Sequence, residues 1–233
     1  SDALAYANGV TGSVDPRLAK SWEKITDTRW ALTLEDQAVF DSGNPLGADD
    51  VIYSLCRVRN VPDSPGLYTG FIDTVTDITT MDGGKIAIDT SRPDPNLMRK
   101  LANIGIVESP TGDVLDFDTE TCGNDDWPDT NGFNDGTISA GIGHYRVTTF
   151  TPDVEIILER NEQYYGTAAG YDTVVIKALP DSSARIAALL GGSVDVINSV
   201  PINGVESIEG AGNFHLSTVP STLLIFVLPD QYM

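Results

Sequence analysis

The sequence predicts an α/β fold, and three observations carry this prediction. Trp30, Leu32 and Leu34 alternate with smaller residues, as in a half-buried strand. Apolar residues from Val51 to Val58 recur at intervals of four and three, which is typical of one buried face of a helix. In the C-terminal half, strand and helix signals alternate, which is typical of an α/β unit. With 41% hydrophobic residues, the 233-residue chain can bury a substantial core.

The first half of the chain opens with a predicted hairpin from Trp30 to Phe40, which the segment 43–45 (Gly-Asn-Pro) interrupts. A helix is predicted to begin near Ala48. Asp49 and Asp50 would lie in its first turn, where carboxylates stabilise the N-terminus of a helix. Pro62 prevents the helix from continuing further.

Turn and cap signals place the remaining elements. Asp82-Gly83-Gly84 predicts a tight turn between two strands, and Asp181 is the predicted N-cap of a helix that Gly191 ends. The remaining predicted helices span 95–102 and 182–190, and the remaining predicted strands span 74–78, 85–89, 144–150, 155–160, 173–179, 194–197, 214–219 and 223–228.

The charge balance limits the possible partners. The chain has 14 Lys and Arg residues against 34 Asp and Glu residues, a formal net charge of -20. Such a surface repels phosphate backbones and anionic lipids. The longest apolar run, from Leu223 to Leu228, is far shorter than the roughly 20 residues that span a bilayer. No nucleic acid partner and no direct membrane insertion are therefore expected.

An acidic segment lies in the middle of the chain. Between Leu101 and Tyr145 the sequence contains no Lys or Arg, and Gly, Asn and Pro are frequent, so a long surface excursion is expected. The composition changes near 139–143, which predicts an internal boundary. Cys122 lies in this segment and Cys56 on the predicted helix. Either the two form a disulfide, as we predict for a protein outside the cytoplasm, or Cys56 is a reduced buried residue.

Several motifs, in order along the chain, resemble the extracellular solute-binding proteins of peptide-type ABC importers (family 5). Each motif alone is weak, but their order and spacing together are specific. The matching segments are LAKSWE at 18–23, LGADDVIYSL at 46–55, GIGHYRV at 141–147, ILERNEQYYG at 157–166 and DSSARIAALLGGSVD at 181–195.

The resemblance implies an α/β, mixed-sheet lobe of a two-lobed periplasmic-binding-protein-like (class II) fold, with an inserted α+β subdomain. Residues 11–140 would form the inserted subdomain of the first lobe. Residues 141–233, with 1–10, would form its core subdomain. Family members continue into a second lobe, which is expected to be absent from this chain.

The resemblance also implies ligand contacts after the Ser-Pro pair at 64–65. In the family, the residues that follow this pair lie at the cleft edge, which here are Gly66, Leu67 and Tyr68. The Tyr68 ring and hydroxyl suit peptides of varied sequence. Packing of Tyr68 against a neighbouring proline is the alternative.

A second set of implied ligand contacts is Ile142, Gly143 and His144. His144 stands where the family has a proline, so an imidazole is added in a glycine-flanked turn. The alternatives are an ordinary turn histidine and, for the glycines, a crossover between subdomains.

The expected function is therefore capture of peptides or similar small solutes in an interlobe cleft and delivery to ABC permease membrane subunits. The protein is expected to be a monomer in the periplasm or tethered outside the cell membrane, with no enzymatic activity. A secreted hydrolase of carbohydrate or peptide, or a non-transport adhesion or scaffold module, is the alternative.

Catalytic and metal motifs are weak. The two histidines, His144 and His215, are not accompanied by a Gly-x-Ser-x-Gly motif. A calcium loop that begins at Asp129 would need a Glu at Ala140. No catalytic residue, metal or cofactor is therefore expected.

Overall fold

The computed structural model describes residues 2–60, 68–110, 117 and 141–218. The chain divides into two compact units, Ser1–Ile176 and Lys177–Met233. The described strands are β1 (Ala5–Ala7), β2 (Val14–Pro16), β3 (Ala19–Thr26), β4 (Arg29–Leu34), β5 (Val75–Met81), β6 (Lys85–Thr90), β7 (Tyr145–Thr151), β8 (Glu155–Arg160) and β9 (Thr173–Lys177). The described helices are α1 (Ala48–Asn60), α2 (Leu97–Leu101), α3 (Ser182–Leu190) and α4 (Ile202–Ala211), with short 3-10 helices at Tyr68–Phe71 and Asp82–Gly84.

A four-stranded antiparallel sheet forms the centre of the first unit, with the strand order β3-β4-β6-β5. Leu32 of β4 lies opposite Ile86 of β6, and both side chains are fully buried. On the other face, Ala31 lies opposite Ala87, and both are buried as well. Because successive strand residues point to opposite faces, the two central strands are covered on both sides.

Helix α1 contributes to the same core through its apolar face. Val51, Ile52 and Leu55 are buried in the cluster that contains the strand residues. Gly47, which precedes the helix, has no side chain that could cap it, and the Asp50 carboxylate accepts a hydrogen bond from Gly47 N at 2.7 Å. The third helical residue thus reaches back to the residue before the helix, as in one half of a capping box.

Two polar side chains of α1 hold the segment 107–109. The second carboxylate oxygen of Asp50 accepts a hydrogen bond from Ser109 N at 2.7 Å. Ser54 Oγ accepts from Val107 N at 2.9 Å and donates to Val107 O at 3.2 Å. Burial raises the pKa of Asp50 to about 6, against the two backbone hydrogen bonds, which lower it.

The N-terminal residues pack beside this core. Leu4 and Leu18 are fully buried, and β1 pairs with β2 as an antiparallel hairpin. The carbonyl of Asp2 accepts a hydrogen bond from Ile106 N at 2.9 Å. Asp2 is thereby anchored through its main chain.

A second, three-stranded sheet has the order β7-β8-β9. Val147 lies opposite Leu158 and Phe150 opposite Ile156, with an irregularity of register between Val147 and Thr149. Every residue of these strands is at least partly exposed. The sheet is therefore held mainly by its ladder of hydrogen bonds.

The second unit contains two helices. Asp181 caps α3 by accepting a hydrogen bond from Ala184 N at 2.8 Å, and α3 ends before Gly192, whose φ of +70° favours glycine. The Arg185 guanidinium donates to the carbonyls of Leu179 and Pro180 at 2.8 and 2.9 Å. Arg185 thus fixes the loop that leads into α3.

The described sheets and helices confirm the α/β class, as well as α1, α2, α3 and the hairpins 75–90 and 145–160. The contact-based division after Ile176 differs from the predicted boundary at 140/141. That boundary stays a prediction, because residues 118–140, which lead up to it, lie outside the described part of the chain.

The predicted hairpin from Trp30 to Phe40 is wrong in its pairing. Strand β4 pairs with the preceding β3, where Trp22 lies opposite Leu32, and with the distant β6. Val39 forms only an isolated bridge with Pro45. The LAKSWE segment is thus largely strand, and its polar residues Lys20, Ser21 and Glu23 are exposed on this edge strand.

Two predicted strands are also wrong. Residues 194–197 and 214–218 have no strand structure, and Val196 is 84% exposed. The apolar alternation of 194–197 fits a strand, but a strand forms only where a partner satisfies its backbone groups. The predicted strand 223–228 lies outside the described residues.

Candidate functional site

The crossover at 141–144 is fixed by its own carbonyl groups. Gly141 O accepts a hydrogen bond from Asp41 N at 3.2 Å, and Ile142 O accepts from Asp2 N. Gly143 O accepts from Asn161 Nδ2 at 3.0 Å. These carbonyls are therefore engaged in holding the fold.

The side chains of Ile142 and His144 lie in different environments, one in the core and one at a partly exposed position. Ile142 is fully buried in the core, so its side chain does not face solvent. The His144 ring lies against the Tyr164 ring, with centroids 3.9 Å apart and planes inclined by 32°. Of the three crossover residues predicted to contact ligand, His144 presents the partly exposed ring.

Asn161 positions the two tyrosines that follow it. Its backbone N–H donates to His144 O at 2.9 Å, and its side-chain oxygen accepts from Gln163 N at 2.9 Å. This local turn presents Tyr164 and Tyr165, whose ring centroids are 4.7 Å apart. Asn161 is buried, as a side chain with satisfied hydrogen bonds can be.

The Asp2 carboxylate joins the tyrosines. Tyr164 and Tyr165 donate their hydroxyl hydrogens to Asp2 Oδ2 at 3.3 and 3.2 Å. Burial raises the pKa of both phenols, and the negative charge of Asp2 raises it further. Both hydroxyls are therefore protonated at neutral pH and act as donors.

These rings line a cavity of about 300 Å³, here called the aromatic pocket. Its walls include Arg17, Lys20, Glu35, His144, Tyr164 and Tyr165. The Arg17 guanidinium lies 5.2 Å from the centroid of the Tyr6 ring, within range of a cation–π contact. Lys20 donates to the Asp36 carboxylate. The pocket thus combines stacked rings with charges of both signs.

The other predicted ligand contacts lie elsewhere. Tyr68 opens a 3-10 helix, is 48% exposed, and has its ring centroid 5.9 Å from that of Phe71. It does not line the aromatic pocket. Gly66 and Leu67 lie outside the described residues. Of the first predicted set, the described residue Tyr68 therefore does not share a pocket with His144.

Cys56 is buried in the core on α1. Cys122 lies outside the described residues, so the disulfide between them stays a prediction. Labelling of free thiols in the unfolded, unreduced protein would test it, because two reactive thiols per chain would contradict it.

Metal-binding clusters and membrane-spanning helices are both absent from the described residues. None of them forms a group of three or more His, Cys, Asp or Glu side chains arranged for a metal ion, and the calcium loop considered at Asp129 lies outside them. No helix among 2–60, 68–110 and 141–218 has the length and apolar character to cross a membrane.

Sequence reasoning found His144 but missed the residues around it. Tyr164 and Tyr165 were contained in a motif, without an assigned role. The adjacent aromatic residues after Asn161 were the signal that could have found them. Arg17 and Asp2 carried no such signal, because their places in the site depend on the fold.

Comparison with known proteins extends these observations. Residues 13–231 match the family model of bacterial extracellular solute-binding proteins, family 5 Middle. The chain is 23% identical, over 94% of its length, to the probable D,D-dipeptide-binding periplasmic protein DdpA of Escherichia coli, of which it covers 41%. It is 26% identical, over 88% of its length, to the nickel-binding protein NikA of Staphylococcus aureus, of which it covers 37%.

Solved structures show the same fold. The oligopeptide-binding protein AppA of Bacillus subtilis, in complex with a nonapeptide, superposes with a TM-score of 0.72 at 21% identity, over 91% of this chain and 40% of that one. The chain thus spans about two fifths of the length of these relatives. The likeness confirms the predicted lobe of a periplasmic-binding-protein fold. Since the family model matches nearly the whole sequence, the chain belongs to the bacterial extracellular solute-binding proteins of family 5.

Proposed function

We propose that this chain belongs to the solute-binding component of an ABC importer and takes part in capturing peptides or similar small solutes. The match of residues 13–231 to the family model carries the proposal. Relatives named for binding dipeptides, oligopeptides and nickel support a small solute as the ligand. Capture requires two lobes that close around the solute, and no covalent chemistry.

The proposed organisation keeps residues 11–140 as an inserted subdomain and residues 141–233, with 1–10, as the core subdomain of one lobe. The hydrogen bonds from Tyr164 and Tyr165 to Asp2 support the grouping of the N-terminus with the later segment. The second lobe would be supplied outside this chain. Delivery to ABC permease subunits, a monomeric state and a periplasmic or membrane-tethered extracellular location belong to the same proposal.

Solute contacts are proposed at two places. His144, with Gly143 beside it, would contact solute from the aromatic pocket. Ile142 would act by anchoring the crossover in the core. Tyr68, with Gly66 and Leu67, would contact solute at the cleft edge, where its exposed ring is consistent with this role.

Substitution of Tyr68 tests the second contact. In the complete receptor, Tyr68→Ala should weaken solute binding by about 1–3 kcal/mol, the value of one buried apolar side chain, which corresponds to a factor of about 5 to 150 in affinity. The melting temperature should stay close to that of wild type, because the ring is exposed. Tyr68→Phe is the matched control, which keeps the ring and removes the hydroxyl.

Calorimetry with a retained or synthetic peptide measures the affinity, and mass spectrometry of the same peptide after incubation measures turnover. Unchanged affinity of Tyr68→Ala would place Tyr68 outside the cleft. Cleavage of the peptide would favour the hydrolase instead, and a complete receptor that binds no peptide or metal complex would favour a scaffold module.

A further inference from the structure

Two charged side chains of opposite sign, Arg17 and Glu35, line the aromatic pocket, and neither has an ion-pair partner within the described residues. Among the ion pairs of the described residues, none includes Arg17 or Glu35. The third charged side chain of the wall, Lys20, is paired with Asp36. Arg17 and Glu35 can therefore form ion pairs with charges of a ligand. Arg17 also lies 5.2 Å from the centroid of the Tyr6 ring, and Glu35 accepts a weak hydrogen bond from Gln37 N at 3.4 Å.

Aromatic rings form part of the wall of the same pocket. The His144 and Tyr164 rings, whose centroids are 3.9 Å apart and whose planes are inclined by 32°, line it together with Tyr165. The Tyr164 and Tyr165 hydroxyl groups are engaged with Asp2. Their rings therefore offer apolar surface while their polar groups are already satisfied. A planar ring stacks on such a surface in an offset or tilted arrangement.

The size of the pocket limits the occupant. A volume of about 300 Å³ lies at the lower end of the roughly 300–1,000 Å³ of small-molecule sites. The net charge of -20 disfavours a simple anion at long range, and Arg17 disfavours a simple cation locally. A ligand that carries one positive and one negative charge has no net charge and can pair each charge with the opposite charge in the pocket wall.

We infer that the aromatic pocket binds a compact zwitterion with a planar ring, of the size of one aromatic amino acid. Its carboxylate binds the Arg17 guanidinium and its ammonium group binds the Glu35 carboxylate. Its ring packs against the His144–Tyr164 pair. The inference rests on the proposed function as a solute-binding protein, and it specifies the solute class at this one site.

Four probes separate the three contacts. L-phenylalanine carries both charges and the ring, hydrocinnamate lacks the ammonium group, phenethylamine lacks the carboxylate, and L-leucine lacks the ring. Binding to the 233-residue chain is followed by NMR of its two imidazole side chains. His215→Gln identifies the signal of His144. L-phenylalanine should shift the His144 signal saturably, with at least about tenfold tighter binding than each of the other probes.

Two variants assign the charges. Arg17→Gln should abolish the preference for L-phenylalanine over phenethylamine, and Glu35→Gln its preference over hydrocinnamate. Arg146→Gln, a charge change on an exposed pair outside the pocket, should change neither preference. Unaltered melting temperatures show that the variants are folded.

Three outcomes would overturn the inference: no saturable shift of His144 with L-phenylalanine, equal binding of the four probes, or charge variants that keep wild-type preferences. If another peptide or metal complex shifted the His144 signal while L-phenylalanine did not, the inference would fail and the proposed function would stand. If the complete receptor bound no solute while the chain bound L-phenylalanine, the proposed function would fail instead.

Discussion

The two larger sheets of the first unit are similar in local construction and different in burial. In both, two neighbouring strands pair antiparallel and a cross-strand Arg–carboxylate ion pair joins them. Ile88 of β6 is fully buried, whereas Ile176 of β9 is 49% exposed. Among the described residues, the main core includes no residue of β7, β8 or β9. Strand structure in this chain therefore does not require burial in the main core.

What differs is the layer packed on each sheet. Helix α1, the N-terminal segment and Ile106 share one core with β4 and β6. The β7–β8–β9 sheet displays Val147, Phe150 and Val175 at the surface instead. Hairpin signals predicted one hairpin in each sheet, 75–90 and 145–160, because turn residues and alternation act locally. The layer that covers a sheet is a property of the whole fold.

The largest expected effect is the loss of stability on truncating Ile88 in the core, compared with the same truncation of the half-exposed Ile176. Ile88→Ala should lower the free energy of unfolding by about 2–5 kcal/mol, because it leaves a cavity in a packed core. Ile176→Ala should lower it by less than about 1 kcal/mol, since its side chain is half exposed. Urea unfolding followed by tryptophan fluorescence measures both, because Trp22 and Trp30 lie in the first sheet. Equal losses would remove the distinction between the sheets.

The free energy of unfolding should depend on pH through Asp50 of α1, which packs on the first sheet. The folded pKa of Asp50 is about 6, above its usual 3.8, so the folded state binds the proton more tightly than the unfolded state. Its contribution is full below the unfolded value and is lost as the pH rises through about 6. Relative to Asp50→Asn, the wild type should gain about 2 kcal/mol between pH values near 7.5 and 4.5.

The same urea titrations at both pH values measure this difference. Hydrogen exchange in β7 and β8 provides the internal control, because the effect should not reach those amides. A wild type whose stability follows that of Asp50→Asn across this range would show that burial does not shift the Asp50 carboxyl.

The smallest expected difference concerns the two cross-strand ion pairs. Arg29 Nη1 lies 2.7 Å from Asp89 Oδ2, and the two side chains are 38% and 24% exposed. Arg146 Nη2 lies 2.8 Å from Glu159 Oε2, and these side chains are 54% and 47% exposed. Double-mutant cycles with Gln and Asn should give coupling energies of about 1 kcal/mol for the first pair and about 0.3 kcal/mol for the second. A stronger second pair would show that exposure does not decide their strength.

The sequence predicted the elements whose signals are local. The turn at Asp82–Gly84 and the cap at Asp181 define their own hairpin and helix, whatever the rest of the chain does. The pairing of β4 with β3 was not predicted, because several nearby segments could serve as its partner. Helix α4 was missed as well, since Gly204 and Gly210 within it weaken the helical signal.

The site was predicted in part for the same reason. His144 stood out because an imidazole replaces a proline within a motif. Its position beside Tyr164 depends on Asn161, and the positions of Arg17 and Glu35 depend on strands that meet only in the folded sheet. Side chains that are brought together from distant segments form no recognisable spacing pattern in the sequence.

The exposed side of β3 has a consequence for association between molecules. This strand lies at the edge of its sheet, and an open edge can act as a template for a strand of another chain. Lys20, Glu23 and Lys24 project from it, and its register with β4 shifts at Ala19/Ser21 and at Lys24/Thr26. A second chain that added to this edge would have to desolvate charged groups along an uneven backbone. The charges and the irregular backbone therefore disfavour edge-to-edge aggregation through β3.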